Sequence, residues 1–193
     1  RRSIRMSSYV MWPMMIGLAI VAEPVIRLLL TEKWMGGGPY LRIFCIIFAF
    51  QPIQTANLNA IKAMGRSDLF LKLEIIKKTI GLIILMIAIR LGVFAIAASL
   101  LVYNAIAQIL NSSPNWKLLG YTYFEQVKDI VPFIGLSCLM GGIIYPVMLL
   151  GLPDIITLIL QIIIGAAVYV AGSIFFKLET FNYIVDTVKK LKK

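Results

Sequence analysis

Ile155-Ile156-Thr157-Leu158-Ile159-Leu160-Gln161-Ile162-Ile163-Ile164-Gly165-Ala166-Ala167-Val168-Tyr169-Val170-Ala171-Gly172-Ser173-Ile174-Phe175-Phe176 runs without one charged side chain. At a rise of about 1.5 Å per residue this stretch crosses a hydrocarbon core of about 30 Å. The rest of the chain repeats the pattern. Apolar runs cover Ser8 to Leu30, Tyr40 to Met64, Leu69 to Ile89, Val93 to Leu110 and Ile130 to Leu150. Turn or charge clusters separate them, among them Gly36-Gly37-Gly38-Pro39, Gly65-Arg66-Ser67-Asp68, Arg90-Leu91-Gly92 and Asn111-Ser112-Ser113-Pro114. Ser67 or Asp68 is placed to N-cap the third helix. Hydrophobic residues make up 60% of the chain and the mean hydropathy is +0.90, whereas soluble domains are about 45–50% apolar. No alternating strand pattern supports a barrel, so backbone groups in lipid must be satisfied within helices. The expected fold is an all-α membrane protein, a bundle of about six transmembrane helices.

The third run is the least apolar, with Lys72, Glu74, Lys77 and Lys78 in its first half. A rival span from Thr79 to Leu101 would place Arg90 at its middle and the C-terminal lysines outside. Charge asymmetry argues against it. With six crossings, one side collects Arg1, Arg2, Arg5, Lys62, Arg66, Lys72, Lys77, Lys78, Lys117, Lys128, Lys177, Lys189, Lys190, Lys192 and Lys193. The other collects only Arg27, Lys33, Arg42 and Arg90. Both termini are therefore expected in the cytoplasm.

This asymmetry accounts for the formal net charge of +10, so no nucleic-acid partner is expected. Two interfacial segments are expected on the cytoplasmic side. Asn115 to Asp129 carries Trp116, Tyr121, Tyr123 and Phe124, residue types that sit at headgroup level. In the tail, Phe181, Ile184, Val185, Val188 and Leu191 fall opposite Lys189, Lys190, Lys192 and Lys193, an amphipathic pattern suited to membrane lipids of the inner leaflet.

Catalytic groups are scarce. The chain has no histidine, and its two cysteines, Cys45 and Cys138, lie in apolar runs where buried thiols are common. No metal site, cofactor or enzymatic activity is expected. The informative residues are the polar groups within the spans, each costly in lipid. Glu23 and Arg27 stand one turn apart, as an i,i+4 ion pair or a charged outer gate, and Pro13 and Pro24 allow bends. Gln51, Gln54, Thr55 and Lys62 share a face of the second run, with Asn59 beside them and Asn57 off it. That stripe suits a wet vestibule or interhelical bonding. Glu74, Lys77 and Lys78 share a face of the third run, suited to phosphate in an inward-open cavity or to snorkelling. Asn104, Gln108 and Asn111 recur at helical spacing in the fourth. The fifth and sixth runs carry little polarity beyond Gln161 and read as lipid-facing. Their Gly141-Gly142, Gly165-Ala166-Ala167 and Ala171-Gly172-Ser173 read as packing seams.

Several stretches together resemble the oligosaccharide flippases of the multidrug/oligosaccharidyl-lipid/polysaccharide (MOP) superfamily, the Wzx-like polysaccharide exporters. These are Trp12-Pro13 through Gly17-Leu18 to Ala22-Glu23-Pro24-Val25-Ile26-Arg27-Leu28-Leu29-Leu30, with Glu32-Lys33-Trp34, then Tyr40-Leu41-Arg42-Ile43-Phe44. Asn59-Ala60-Ile61-Lys62-Ala63-Met64-Gly65-Arg66-Ser67-Asp68, Leu69 to Lys78 and Arg90-Leu91-Gly92-Val93-Phe94-Ala95-Ile96-Ala97 complete the set. The resemblance implies the C-terminal portion of a two-lobed transporter of the bacterial cytoplasmic membrane, with the missing N-terminal lobe as a partner. It implies alternating access, and undecaprenyl-diphosphate-linked oligosaccharide as the molecule moved.

On that basis 1–111 is expected to hold four helices of the second lobe and 112–129 a cytoplasmic interfacial loop. Two peripheral helices would fill 130–176 and a basic amphipathic tail 177–193. Arg27, Lys62, Lys77 and Lys78 become candidates for the cationic cavity, with Gln51, Gln54, Asn104 and Gln108 as polar lining. A multidrug or cation exporter of the same superfamily, and a non-transporting scaffold of glycan synthesis, stay open as alternatives.

Overall fold

The computed structural model describes residues 1–191, apart from the side chains of 187, 188, 190 and 191. Nine α-helices are found among the described residues: α1 (Arg2–Ile20), α2 (Ala22–Leu30), α3 (Gly38–Ala49), α4 (Gln51–Ala63), α5 (Ser67–Ile89), α6 (Val93–Leu119), α7 (Tyr123–Ile144), α8 (Asp154–Phe175) and α9 (Glu179–Leu191). Short 3-10 turns at Glu32–Gly37 and Tyr145–Leu150 precede α3 and follow α7. Among the described residues, four helical stretches are long and apolar enough to cross a membrane: Glu32–Ala63, Val93–Leu119, Tyr123–Leu150 and Asp154–Phe175. The bent pair α1–α2 makes a fifth. The chain is thus an all-α, multi-pass membrane bundle. α5 is long enough but keeps five charged side chains, Asp68, Lys72, Glu74, Lys77 and Lys78, in its first half.

The first apolar run breaks where the sequence suggests a single span. α1 and α2 meet at Val21 with a bend of 70°. Pro24 lies in the first turn of α2 and cannot donate to the Ile20 carbonyl, so the ladder of α1 stops there. Arg42 from α3 spans the break. Its Nε donates to the Ala19 carbonyl at 3.3 Å and its Nη2 to Glu23 Oε1 at 2.7 Å. The expected Glu23–Arg27 pair does not form; Arg27 reaches Asp154 at the start of α8 instead, at 3.0 and 3.1 Å. Interhelical geometry outcompetes the local i,i+4 spacing because the bend carries Arg27 towards α8.

Pro13, by contrast, leaves α1 continuous. Its missing N–H orphans the Tyr9 carbonyl, and the Tyr169 hydroxyl of α8 donates to that oxygen at 2.8 Å, while Tyr9 Oη and Ser173 Oγ lie 2.9 Å apart. Replacing Tyr169 with Phe is expected to cost about 1 kcal/mol, measured by unfolding in mixed lipid–detergent micelles. Unchanged stability would mean that the Tyr9 carbonyl finds another donor.

The Asn111-Ser112-Ser113-Pro114 stop also fails. α6 runs through it to Leu119, and the Ser113 hydroxyl donates at 2.9 Å to the Leu110 carbonyl that Pro114 cannot reach. Gly120, in the left-handed region at φ 62°, ends the helix. The expected interfacial loop is therefore mostly the end of α6 and the start of α7, joined by three residues. Trp116 and Phe124 are exposed there and Tyr121 and Tyr123 half-buried. Thr122 and Glu125 form a capping box at the start of α7. Neither Ser67 nor Asp68 caps α5; its N-cap is Arg66, without a side-chain cap bond, and Arg66 pairs with Asp68 at 3.1 Å.

The largest departure concerns α7. Expected to face lipid, it packs along α1 at the centre of the bundle. Ile130, Phe133, Leu136, Met140 and Ile144 are buried against Ile4, Tyr9 and Trp12 of α1. A second cluster, Ile43, Ile47 and Ala97, joins α3 to α6. Between helices in lipid, close van der Waals packing supplies the attraction. A Cβ on Gly141 would stand 2.8 Å from Ile20 Cδ1 and one on Gly172 would collide with Leu136, so both glycines are contact points, whereas Gly142 faces open space. α8 presents Ile155, Ile159, Ile162, Ile163 and Phe175 outward, as a lipid-facing helix does. Of the two thiols, Cys45 is buried and Cys138 exposed.

Contacts sort the charged residues to two ends. Arg1 and Asp129, Arg5 and Glu179 meet at one end; Arg27 and Asp154, Arg42 and Glu23 meet at the other. Phe181 and Ile184 of α9 are half-buried against the main core instead of facing away from the bundle. The side chains of Val188, Lys190 and Leu191, and all of Lys192 and Lys193, lie outside the described residues.

Candidate functional site

Polar groups within the helices gather in two places, the α5–α6 seam and the junction of α4, α6 and α7. α5 turns Leu73 and Lys77 towards α6, and Gly81 one turn later allows the close approach, since its Cβ would stand 3.0 Å from the Tyr103 ring. Lys77 is 6% exposed and its ammonium is bonded to the Glu74 carboxylate. The pair is thus an i,i+3 contact within α5. Lys78 lies one residue round the helix, exposed in a stripe with Leu71, Ile75 and Leu82, and has no charged partner among the described residues. It stands about 16 Å along α5 from the helix start. Two adjacent lysines therefore occupy different surroundings.

Between α4 and α6, Gln54 donates to Asn104 at 3.1 Å, and Asn104 also donates to the Leu100 carbonyl. Gln51 is half-buried one turn away. Lys62 is exposed at the end of α4, its ammonium 4.6 Å from the centre of the Phe70 ring. Arg27 is at the opposite end of the bundle, committed to Asp154. The α4–α6 contact thus brings Gln54 and Asn104 together, while Arg27 and Lys62 stand apart from each other.

The junction of α4, α6 and α7 centres on Asn57. Its Nδ2 donates to Ser112 Oγ at 2.9 Å and Gln126 Oε1 at 2.7 Å. Its Oδ1 accepts from Asn115 Nδ2 at 2.7 Å and Gln126 Nε2 at 3.1 Å. Ser112 donates to the Gln108 carbonyl, and Tyr123 donates to Gln108 Oε1 at 3.3 Å. All five polar residues bound to this hub or beside it on α6 and α7 are buried: Gln108, Asn111, Ser112, Asn115 and Gln126. Both amide atoms of Asn111 are shielded from solvent without a protein partner.

Sequence alone does not single out Asn57, Ser112, Asn115 and Gln126 as one cluster. A signal exists: Asn104, Gln108, Asn111 and Asn115 continue one helical stripe, but reading 111–114 as a turn cuts it short. Nearby, Asp129 accepts both Arg1 guanidinium bonds, at 2.6 and 2.9 Å, and the Tyr121 hydroxyl at 2.7 Å. Burial and then that bond push the Tyr121 phenol above its usual range.

Amides and paired lysines can bind, orient and conduct polar groups. The described residues hold no group of three or more His, Cys, Asp or Glu able to bind a metal ion.

Comparisons with known proteins agree in direction. Residues 1–39 match a family model described as polysaccharide biosynthesis protein. An uncharacterized membrane protein in the cps region of Klebsiella pneumoniae is 24% identical over 166 residues, covering 84% of this chain and 34% of that protein. The teichuronic acid biosynthesis protein TuaB of Bacillus subtilis (strain 168) is 31% identical over 65 residues, 34% of this chain and 14% of that protein. The chain spans about a third of the length of the first relative and less of the second. No solved structure matches it. With its bundle of apolar helices and these similarities, the chain is a distant relative of the bacterial multi-pass membrane proteins of polysaccharide biosynthesis.

Proposed function

We propose that this chain forms part of a flippase that moves lipid-linked oligosaccharide from the cytoplasmic to the outer leaflet by alternating access. The observation that carries the reading is Lys78, a positive charge with no carboxylate partner among the described residues, about 16 Å along a helix of a bundle related to polysaccharide-biosynthesis proteins. A diphosphate cannot enter hydrocarbon unaided, and a cationic wall lowers that barrier. Lys offers phosphate a point charge without fixed fork geometry.

In this reading α5 is the sixth crossing, Lys77 tolerated through its pairing with Glu74 and Lys78 because it borders an aqueous route, and both chain ends are cytoplasmic. Gln51, Gln54 and Asn104 supply hydrogen bonds to sugar hydroxyls along that route, whereas Gln108 is buried in the junction of α4, α6 and α7. Arg27 acts at the outer end, where its pairing with Asp154 ties α2 to α8, and Lys62 at the inner mouth. The remaining part of the longer protein supplies the facing lobe, and undecaprenyl-diphosphate-linked oligosaccharide is the substrate.

The test is glycan export by the full-length protein carrying Lys77→Ala with Lys78→Ala. Loss of surface glycan with normal membrane insertion supports the reading. Normal export removes the lysine wall. A scaffold would tolerate the change, and a drug or cation exporter would alter resistance instead.

A further inference from the structure

A cleft of about 350 Å³ opens at the end of the bundle where α1 starts and α9 begins. Arg1, Arg2, Arg5, Met6, Glu179 and Thr180 form its walls, with Tyr183 across from Arg2. The three guanidinium groups differ in what they have left to give. Arg1 is committed to Asp129 through two bonds. Arg5 spends one Nη on Glu179 at 3.1 Å, yet its Nε is shielded from water and has no acceptor. Arg2 stands 5.0 Å over the Tyr183 ring and has no carboxylate partner among the described residues. Glu179 is an exposed and therefore weak competitor, its side chain 82% accessible. The cleft thus keeps the Arg2 guanidinium without a carboxylate partner among the described residues, and a net positive charge.

We propose that this cleft binds a phosphate group, the chemistry shared by an anionic lipid headgroup and a free phosphate. Guanidinium forks match phosphate oxygens in pairs, which an ammonium cannot do. The first turn of α9, at Glu179 and Thr180, adds backbone N–H groups and the positive end of a helix dipole. The location suits a headgroup. Phe175 and Phe176, exposed at the end of α8, and Trp116, exposed near the end of α6, are aromatic side chains of the type that marks the membrane–water boundary. Met6 gives the cleft an apolar wall. The site is separate from the α5–α6 seam, so it holds whether or not the protein exports glycan.

The full-length protein in phosphatidylcholine nanodiscs, with and without phosphatidylglycerol, provides the test, with bound lipid counted by native mass spectrometry. Arg2→Gln with Arg5→Gln is expected to lower the preference for phosphatidylglycerol about tenfold, a loss of about 1.4 kcal/mol. Glu179→Gln, which frees Arg5 and removes a negative charge, is expected to raise it. The source is read from a second arm: millimolar inorganic phosphate added to lipid-free micelles. An arginine-dependent rise in melting temperature there means phosphate alone suffices; its absence, with the lipid effect present, assigns the site to the headgroup. An unchanged lipid preference in the double variant overturns the proposal. If that variant does not fold, Glu179→Gln decides: a higher preference supports the site, and an unchanged or lower one overturns it.

Discussion

Glycan export is expected to fall to background when Lys77 and Lys78 are both replaced with Ala, and Lys78→Ala alone is expected to cause most of that loss. Lys78 carries the uncompensated charge. Lys77 is already neutralised by Glu74 within the α5–α6 seam. Removing Lys77 alone has a different consequence, because it strands the Glu74 carboxylate at a helix contact. Breaking a buried pair by deleting one partner costs about 3–5 kcal/mol, and the half-buried position of Glu74 puts the expected value near the lower end.

The two effects separate in one series. Lys77→Met with Glu74→Gln removes both charges while keeping the volume, and is expected to restore most of the stability lost in Lys77→Ala. If export returns with stability in that double variant, Lys77 serves packing and Lys78 alone serves transport. If Lys78→Ala exports normally, the cationic-wall reading of α5 is lost. Surface glycan, protein abundance in the membrane and unfolding in lipid micelles are the three measurements.

The second large effect is expected at Asn57. Replacement by Leu leaves Ser112, Asn115 and Gln126 without their shared partner, all of them buried. Unsatisfied buried polar groups cost about 1–3 kcal/mol each, but contacts in membrane proteins average about 0.6 kcal/mol. A total loss of about 3 kcal/mol lies between these limits. Gln126→Leu on top of Asn57→Leu removes the other half of the reciprocal amide pair, and the two losses are expected to be clearly less than additive. Strict additivity in a double-mutant cycle would show that the two amides do not act as one unit.

Both predictions rest on residues that differ in how visible they are beforehand. Lys77 and Lys78 draw notice as charges in an apolar run, but their neighbourhood in sequence cannot say which one faces α6. That depends on Gly81 and Tyr103, which decide how α5 lies on α6. Asn57 sits off the polar stripe of its own helix, and only the approach of α6 and α7 gives it partners. The spacing of Thr122 and Glu125 carries the capping-box signal in sequence alone, although the aromatic residues around it make the segment read as an interfacial loop.

Prolines illustrate the same division. Pro13, Pro24 and Pro114 each withhold one backbone donor, a consequence fixed by covalent structure. The outcome differs at each. Tyr169 rescues the carbonyl opposite Pro13 from another helix, Ser113 rescues the one opposite Pro114 from the same helix, and near Pro24 the helix breaks and Arg42 crosses the gap. Identical local chemistry gives two continuous helices and one bend because the available donor is a tertiary matter.

The amino-acid order alone determined that this chain is a set of apolar helices, because the length and hydropathy of each run are local properties set by the solvent it must enter. Only the folded arrangement decided which helix is central, which lysine is neutralised and which amides meet. Those outcomes depend on helix rotation and crossing, and in a uniformly apolar bundle no hydrophobic face points inward to specify them. Glycine contacts and interhelical hydrogen bonds do so instead, and their partners lie tens of residues apart.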